Sequence, residues 1–237
     1  MSVRLTVIGC SPAWPNPGSA QSGYLLEANS RALLLDCGPG VLSRLPDRGA
    51  HVDAIAITHF HLDHCGDLVP WAWFTAYAPP KRDKLPELWI PPGGVEELAV
   101  FARFWGVPWM WDKTFTLHEY EPEKRFKAVG FELEAIKVPH YGMQAFGFRV
   151  RLDGKTLAYS GDSAPAEELA ELARGADLFL VEATLASGDK DGALRGHLSA
   201  DEALAAADGP VLLTHRPAEL PVPPGIPVAQ DGMVVEI

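Results

Sequence analysis

Residues 54–67 read AIAITHFHLDHCGD: a short apolar run fit for a buried strand, then His59, His61, Asp63, His64 and Asp67 within nine positions. Imidazoles and carboxylates set so close to a buried strand lose their hydration and must be paid back with hydrogen bonds or a metal. Any fold for this chain therefore has to gather them where partners converge. The pattern recurs: "VPHYG" places His140 behind an apolar run, "AYSGDS" places Asp162 and "VLLTHR" places His215. Each run ends with a histidine or aspartate at its carboxyl end, which is where open α/β sheets collect their ligand groups. H-x-H on extended backbone sends two imidazoles the same way. Imidazole nitrogen and carboxylate oxygen are what zinc binds, at about 2.0–2.2 Å. His59, His61, Asp63, His64, His140, Asp162 and His215 are more ligands than one zinc can use. They suit two metals, with Asp162 placed to bridge. The competing reading, in which these histidines are caps or core residues, fits one isolated histidine better than a set gathered at strand ends.

Local patterns support an alternating α/β chain. Val3–Ile8, Gly23–Glu27, Ala32–Asp36 and Asp53–Ile57 read as buried strands, and the proline-rich 10–19 as a loop. Residues 66–78 and Glu96–Trp105 read as helices. Strands follow at Thr114–His118, Phe126–Val129, Phe131–Val138, Ala145–Leu152 and Lys155–Tyr159, the last two joined by a tight turn at "DGK". Pro165–Ala173 is expected to be helical with proline at its start. Leu178–Val181 and Val211–Leu213 read as strands, and Ser199–Ala207 as a helix capped by Ser199 with Glu202 three residues on. The tail "ELPVPPGIPVAQDG" reads as irregular. No linker divides the chain, so residues 1–237 are expected to form one domain.

The formal charge of −11 argues against a grip on long nucleic acid, which requires a basic surface. Three scattered cysteines, Cys10, Cys37 and Cys65, form no disulfide framework, and no stretch approaches the roughly 20 apolar residues of a membrane span. A cytoplasmic protein without a membrane partner is expected.

"THFHLDH" taken with His140, "SGD" and "TH" resembles the metallo-β-lactamase superfamily along nearly the whole chain, and "LLLDCGPG" (33–40) resembles its early Asp-x-Gly element. The resemblance implies a four-layer αββα sandwich, two mixed β-sheets flanked by helices, with a dinuclear zinc site in the cleft between them. By position, His59, His61 and His140 would hold one metal, Asp63, His64 and His215 the other, and Asp162 would bridge. Asp36 would support a ligand from behind, as metal-bound histidines usually require. Manganese or iron would suit the oxygen-richer second position as well. Two such cations share a water and bring its pKa towards neutrality, which makes the chain a hydrolase. Asp63 would help orient the attacking hydroxide.

"EAT" followed by "GHLSADEA" resembles ribonuclease Z and its relatives, and carries a paired glutamate and histidine over to Glu182 and His197. A carboxylate that keeps an imidazole protonated makes a proton donor for a departing oxygen. The plainer alternative is a helix-capping His197 and a solvated Glu182. The chain departs from ribonuclease Z in three places. Residues 5–30 hold no Lys or Arg, His140 and Asp162 are too close in sequence for an inserted tRNA-gripping arm, and Val181 stands where a histidine usually precedes Glu-Ala-Thr. Three functions follow: a phosphodiesterase on small or short nucleotide-type substrates; a hydrolase of carboxylic or sulfuric esters, lactonase or arylsulfatase-like; and a non-catalytic metal sensor. Small anionic or ester substrates are expected rather than long nucleic acid.

Six of the seven tryptophans lie between Trp71 and Trp111. They would form an aromatic pocket wall, or fill a core or the interface of a homodimer. "KRDK" (81–84) and "EKRFK" (123–127) are the basic clusters, read as solvated loops or contacts for a small anion. Cys65 reads as a small buried hydrophobe.

Overall fold

A computed structural model describes residues 3–49, 51–78, 84–188 and 191–237. Lys81–Asp83 of the first basic cluster lie outside them. Two sheets form the centre. The first follows β1 (Arg4–Gly9), β2 (Gly23–Ala28), β3 (Arg31–Leu35), β4 (Ala54–Ala56), β5 (Glu87–Ile90) and β6 (Thr116–Glu119) in chain order. Strands β1 to β3 are antiparallel and β3 to β6 parallel. The second sheet runs from β7 (Arg125–Ala128) through β8 (Phe131–His140), β9 (Met143–Leu152), β10 (Lys155–Tyr159) and β11 (Leu178–Glu182) to β12 (Val211–Thr214). Its β7 to β10 are antiparallel and β10 to β12 parallel. A last strand, β13 (Val234–Glu236), closes the first sheet against β1, Arg4 opposite Glu236. It follows the irregular tail of residues 219–232.

The helices are α1 (Val41–Arg44), α2 (Leu62–Cys65), α3 (Leu68–Tyr77), α4 (Gly94–Phe104), α5 (Glu167–Ala173) and α6 (Ala200–Ala205). Alternating side chains sort the layers, because successive residues of a strand face opposite ways. Tyr24, Leu26, Leu33, Leu35, Ala54 and Ala56 point into the core between the sheets, where Phe131, Phe146, Phe148 and Leu180 meet them. Their neighbours Leu25, Leu34, Ile55 and Ile57 point outward onto Leu68, Trp71, Leu98 and Ala102 of α3 and α4. On the second sheet Phe179 and Val181 pack outward against Leu169, Leu172 and Ala203 of α5 and α6. Three apolar interfaces stack four layers, αββα. Apolar runs such as Leu33–Leu35 are continuous because both faces of the strand are covered. Truncating a buried Leu or Phe in such a core costs about 2–5 kcal/mol.

Parallel strands β4, β10 and β12 and the long β8 all bring their carboxyl ends to one edge of the sandwich. Helix α6 starts as the sequence suggests: Ser199 Oγ accepts from the Glu202 N–H while the Glu202 carboxylate accepts from the Ser199 N–H. Helix α5 starts later than its proline suggests, at Glu167 with Ala166 as the capping residue.

Candidate metal centre

Strand β4 stops at Ala56, and the chain continues extended until His61 caps the short helix α2. His59 is thereby turned into the cleft, and the first turn of α2 turns Asp63 and His64 after it; all three are buried. His140 is the last residue of β8 and His215 the first after β12. Asp162 follows β10 across Gly161, at φ 57°, where an added Cβ would lie 2.7 Å from the Phe146 carbonyl and 3.2 Å from Thr58. Asp36, Tyr141 and His215 also take positive φ, of 58°, 45° and 52°. Such conformations in non-glycine residues cluster where a fold fixes functional side chains.

The residues the sequence singles out converge into two overlapping groups. His59, His61, His140 and Asp162 form one, and Asp63, His64, Asp162 and His215 the other, with ligand atoms within 4.8 Å of one another in each. Asp162 belongs to both. The outer nitrogens of four rings are already engaged. His64 Nδ1 donates to Asp36 Oδ2 at 2.7 Å and His140 Nδ1 to the Gly196 carbonyl at 2.7 Å. His59 Nδ1 lies 2.9 Å from Thr58 Oγ1, and His215 Nδ1 2.9 Å from Thr184 Oγ1. Each threonine hydroxyl in turn reaches a carboxylate, Asp36 Oδ2 at 3.0 Å and Glu182 Oε2 at 2.8 Å. Carboxylates accept, so the hydroxyls donate to them and accept from the rings. That fixes the Nδ1–H tautomer and aims each Nε2 lone pair into the cleft.

Two of those four inward nitrogens, and the Asp162 carboxylate with them, lack protein partners. His59 Nε2, His64 Nε2 and both oxygens of Asp162 are buried without a hydrogen bond, and such orphans call for an ion or water. His140 Nε2 and His61 Nδ1 stand 2.9 Å apart, near enough for one cation to take both as ligands. The donor set fits metal ions, and these are the chain's metal-binding clusters.

The electrostatics agree. Burial, then the neighbouring rings, lowers the pKa of His59 well below the ordinary imidazole value, and burial also lowers His61 and His140. The neutral imidazole is the form that can ligate a metal. Burial also opposes charge on His64, but Asp162 and Asp36 outweigh it and raise its pKa. A cation between His64 Nε2 and Asp162 would replace that proton. Burial would raise Asp162, yet His215 and His64 hold it well below the carboxylate range.

Beside the clusters, Glu182 ends β11 fully buried. Its Oε1 accepts from the Ser163 N–H at 3.1 Å and from His197 Nδ1 at 2.9 Å. The His197 ring lies 5.1 Å from that of His140 and 5.6 Å from that of His215, and keeps 12% of its side chain exposed. Burial disfavours its charge, but the Glu182 carboxylate prevails and raises its pKa to about 9. Glu182, His197 and His215 also lie close enough to form a third potential ligand group.

Thr58 and Thr184 escape a reading by residue type, since a hydroxyl ligates no zinc. The signal was their place, each adjoining or near a histidine or glutamate in "TH" and "EAT". Cys65 stays out of the ligand set: its Sγ donates to the His61 carbonyl at 3.2 Å, and burial pushes its pKa up to about 12. The tryptophan segment divides. Trp71 and Trp111 are core residues, Trp89 stacks on His118, and Phe101, Phe104 and Trp105 are exposed on and after α4. In the second basic cluster Lys124 pairs with Glu121, and Arg125 faces Glu132 and Glu134.

The fold and the clusters together define a metallo-hydrolase. The model of the beta-lactamase superfamily domain matches residues 31–210, and the chain belongs to that superfamily, in its metallo-β-lactamase, ribonuclease Z-like branch. It is 34% identical over 228 residues to protein Rv1339 of Mycobacterium tuberculosis, covering 92% of this chain and 82% of that one. It is 30% identical over 196 residues to ribonuclease Z of Mycobacterium bovis, covering 75% of this chain and 69% of the relative. The metallo-β-lactamase fold protein YhfI of Bacillus subtilis superposes with a TM-score of 0.85 at 25% identity, both chains covered completely.

Proposed function

We propose that this protein is a phosphodiesterase that uses two zinc ions and acts on small or short nucleotide-type diesters. His59, His61 and His140 would hold one ion, Asp63, His64 and His215 the other, and Asp162 both; manganese or iron would also suit these donors. When bound, such a pair supplies an activated water and neutralises charge at the bond under attack. The observation that carries the choice of substrate is the Glu182–His197 pair beside the clusters. Glu182 fixes Nδ1 and favours the imidazolium, which leaves Nε2 to give its proton to a departing alkoxide. An imidazolium also attracts an anionic phosphoryl group, an advantage that a neutral ester does not gain. Asp63 Oδ2 lies 3.1 Å from His215 Nε2, and its carboxylate would orient the attacking oxygen. Likeness to proteins called ribonuclease Z supports cleavage of a phosphodiester. Length of substrate is a separate matter: β9 and β10 fill residues 143–159 without an inserted arm, and the chain is acidic. Long RNA is therefore not the proposed substrate, and the natural one is a small anion.

The test compares turnover of bis(p-nitrophenyl) phosphate, a lactone and an aryl sulfate, with metal content measured on the same samples. The diester should be preferred. His197→Ala should leave metal content unchanged and slow a diester with a poor leaving group by about 10²–10⁴-fold, the usual worth of a general acid. Preference for the lactone or the aryl sulfate, with no effect of His197→Ala, would make the protein a carboxylic or sulfuric ester hydrolase instead.

A further inference from the structure

His140 pairs with Met143 at the end of the β8–β9 register, so Tyr141 and Gly142 are the whole of that hairpin's loop. Both take positive φ, of 45° and 76°. A two-residue loop of this kind favours Asn, Asp or Gly at its first position, and a bulky aromatic residue there is held against its backbone preference. The turn does not need a tyrosine. Neither does the core, since the residue stays 39% exposed.

What the ring touches is the segment that carries His197. It lies 5.4 Å from the His197 ring at an interplanar angle of 78°, and 4.9 Å from the ring of His140. Edge-to-face packing at such a separation is a favoured arrangement of π systems. Gly196 makes the approach possible, because an added Cβ would collide with the Tyr141 ring. The turn is also sewn to that segment through polar groups. The Tyr141 N–H donates to the Arg195 carbonyl at 3.2 Å, and the Tyr141 hydroxyl donates to Asp191 Oδ1. Asp191, its side chain only 3% exposed, accepts at Oδ2 from the N–H groups of Gly196 and His197 at 2.6 and 2.8 Å. Arg195 donates to the His197 carbonyl at 3.1 Å.

His197 itself lies in no strand or helix, so these contacts decide where its ring stands. Asp191 and Arg195 occupy its backbone, Glu182 fixes Nδ1, and Tyr141 closes one side of the imidazole. A general acid has to meet the departing oxygen within hydrogen-bond reach, which makes such confinement part of its function. We propose that Tyr141 is a positioning residue for His197: its ring, tied through the hydroxyl to Asp191, confines the imidazole to the place from which it gives up its proton. This rests on the phosphodiesterase reading.

The test replaces Tyr141 with asparagine, which suits the turn better than tyrosine does and so keeps His140 in place. Metal content and thermal melting should match the wild type. The dinucleotide thymidylyl-thymidine loses an alkoxide, which needs a proton; bis(p-nitrophenyl) phosphate loses a phenolate, which departs without one. Tyr141→Asn should slow the dinucleotide by about 10²-fold, the scale of a misplacement of about 1 Å, and the phenolate diester far less. In a His197→Ala background the same substitution should add nothing, because residues that act through one another are not additive. Tyr141→Phe keeps the ring against His197 and should restore most of the loss. A readout free of turnover is the Nδ1 proton of His197, followed by NMR in the zinc-loaded protein with isotope-labelled histidine. Held by Glu182, it should exchange slowly with water in the wild type and markedly faster in Tyr141→Asn. Equal losses for the two diesters, or loss of metal from Tyr141→Asn, would make Tyr141 a support for His140 alone and overturn the proposal, as would unchanged exchange of that proton. If the wild type cleaves neither diester while the His197 proton still depends on Tyr141, the phosphodiesterase reading fails and the positioning role stands.

Discussion

Asp36 lies outside both clusters yet touches each, which makes its replacement a test of how the site is built. Its Oδ1 accepts from the Thr58 N–H at 2.8 Å, and its Oδ2 from His64 Nδ1 and from the Tyr159 hydroxyl, both at 2.7 Å. All four residues are buried, none more than 1% exposed. With the Thr58 hydroxyl, which also donates to Oδ2 at 3.0 Å, Asp36→Ala would strand four donors at about 1–3 kcal/mol each, roughly 4–12 kcal/mol. That approaches the whole stability of a typical domain, about 5–15 kcal/mol, so this variant should not fold well. Asp36→Asn keeps the shape and is the informative change. Whichever way the amide turns, an N–H meets an N–H. The Thr58 backbone cannot yield, so the amide oxygen should face it and the NH₂ should face His64. His64 then shifts its proton to Nε2, and the atom aimed into the cleft stops being a ligand. Loss of such an outer partner typically costs 10- to 100-fold in metal affinity, and the loss should fall first on the Asp63–His64–Asp162–His215 cluster. Equilibrium dialysis against graded chelator, read by mass spectrometry for metals, measures it, with thermal melts as the control for folding. Wild-type affinity in both clusters would show that Asp36 does not set the tautomer.

Two other outcomes follow from the same geometry. Asp162→Ala removes the one carboxylate common to both clusters, so metal content should fall at both; a variant that keeps two ions per chain in native mass spectrometry would refute the sharing. The pKa of His197 is raised to about 9, so its donor form persists below that pH and is lost above it. Turnover of a diester with a poor leaving group should fall as pH rises through about 9, and a pH–rate profile of His197→Ala should lack that limb.

The parts legible in the sequence are those whose signal is local. A histidine or aspartate behind an apolar run marks a strand end, and Ser199 with Glu202 marks a helix start, because the interactions involved span few residues. Asp36, Glu182 and His197 were legible only through resemblance, since their partners lie 28, 19 and 15 positions away. Strand β5 carries little local signal: "ELWI" is short and stands inside an aromatic segment that masks its alternation. Yet Leu88 and Ile90 are fully buried between parallel neighbours. Strand β13 exists because β1 offers it an edge more than 200 residues away in the chain, which no window of sequence contains.

Thr58 and Thr184 reveal why the cleft lies between the two sheets rather than within one. Asp36, Thr58 and His59 form a carboxylate–hydroxyl–imidazole relay rooted in the first sheet. Glu182, Thr184 and His215 form the same relay rooted in the second. Each carboxylate has a further duty at its free oxygens, since Asp36 also holds His64 and Glu182 also holds His197. One buried acid per sheet thus orients two rings, one of them through a threonine. A ligand set drawn from a single sheet would need all its outer acids in one layer, where like charges repel and desolvation raises their pKa. Divided between two layers, the acids lie apart and their imidazoles meet in the middle. The cations' places are then set by how closely the two sheets pack, which ties the chemistry of the cleft to the apolar core beneath it.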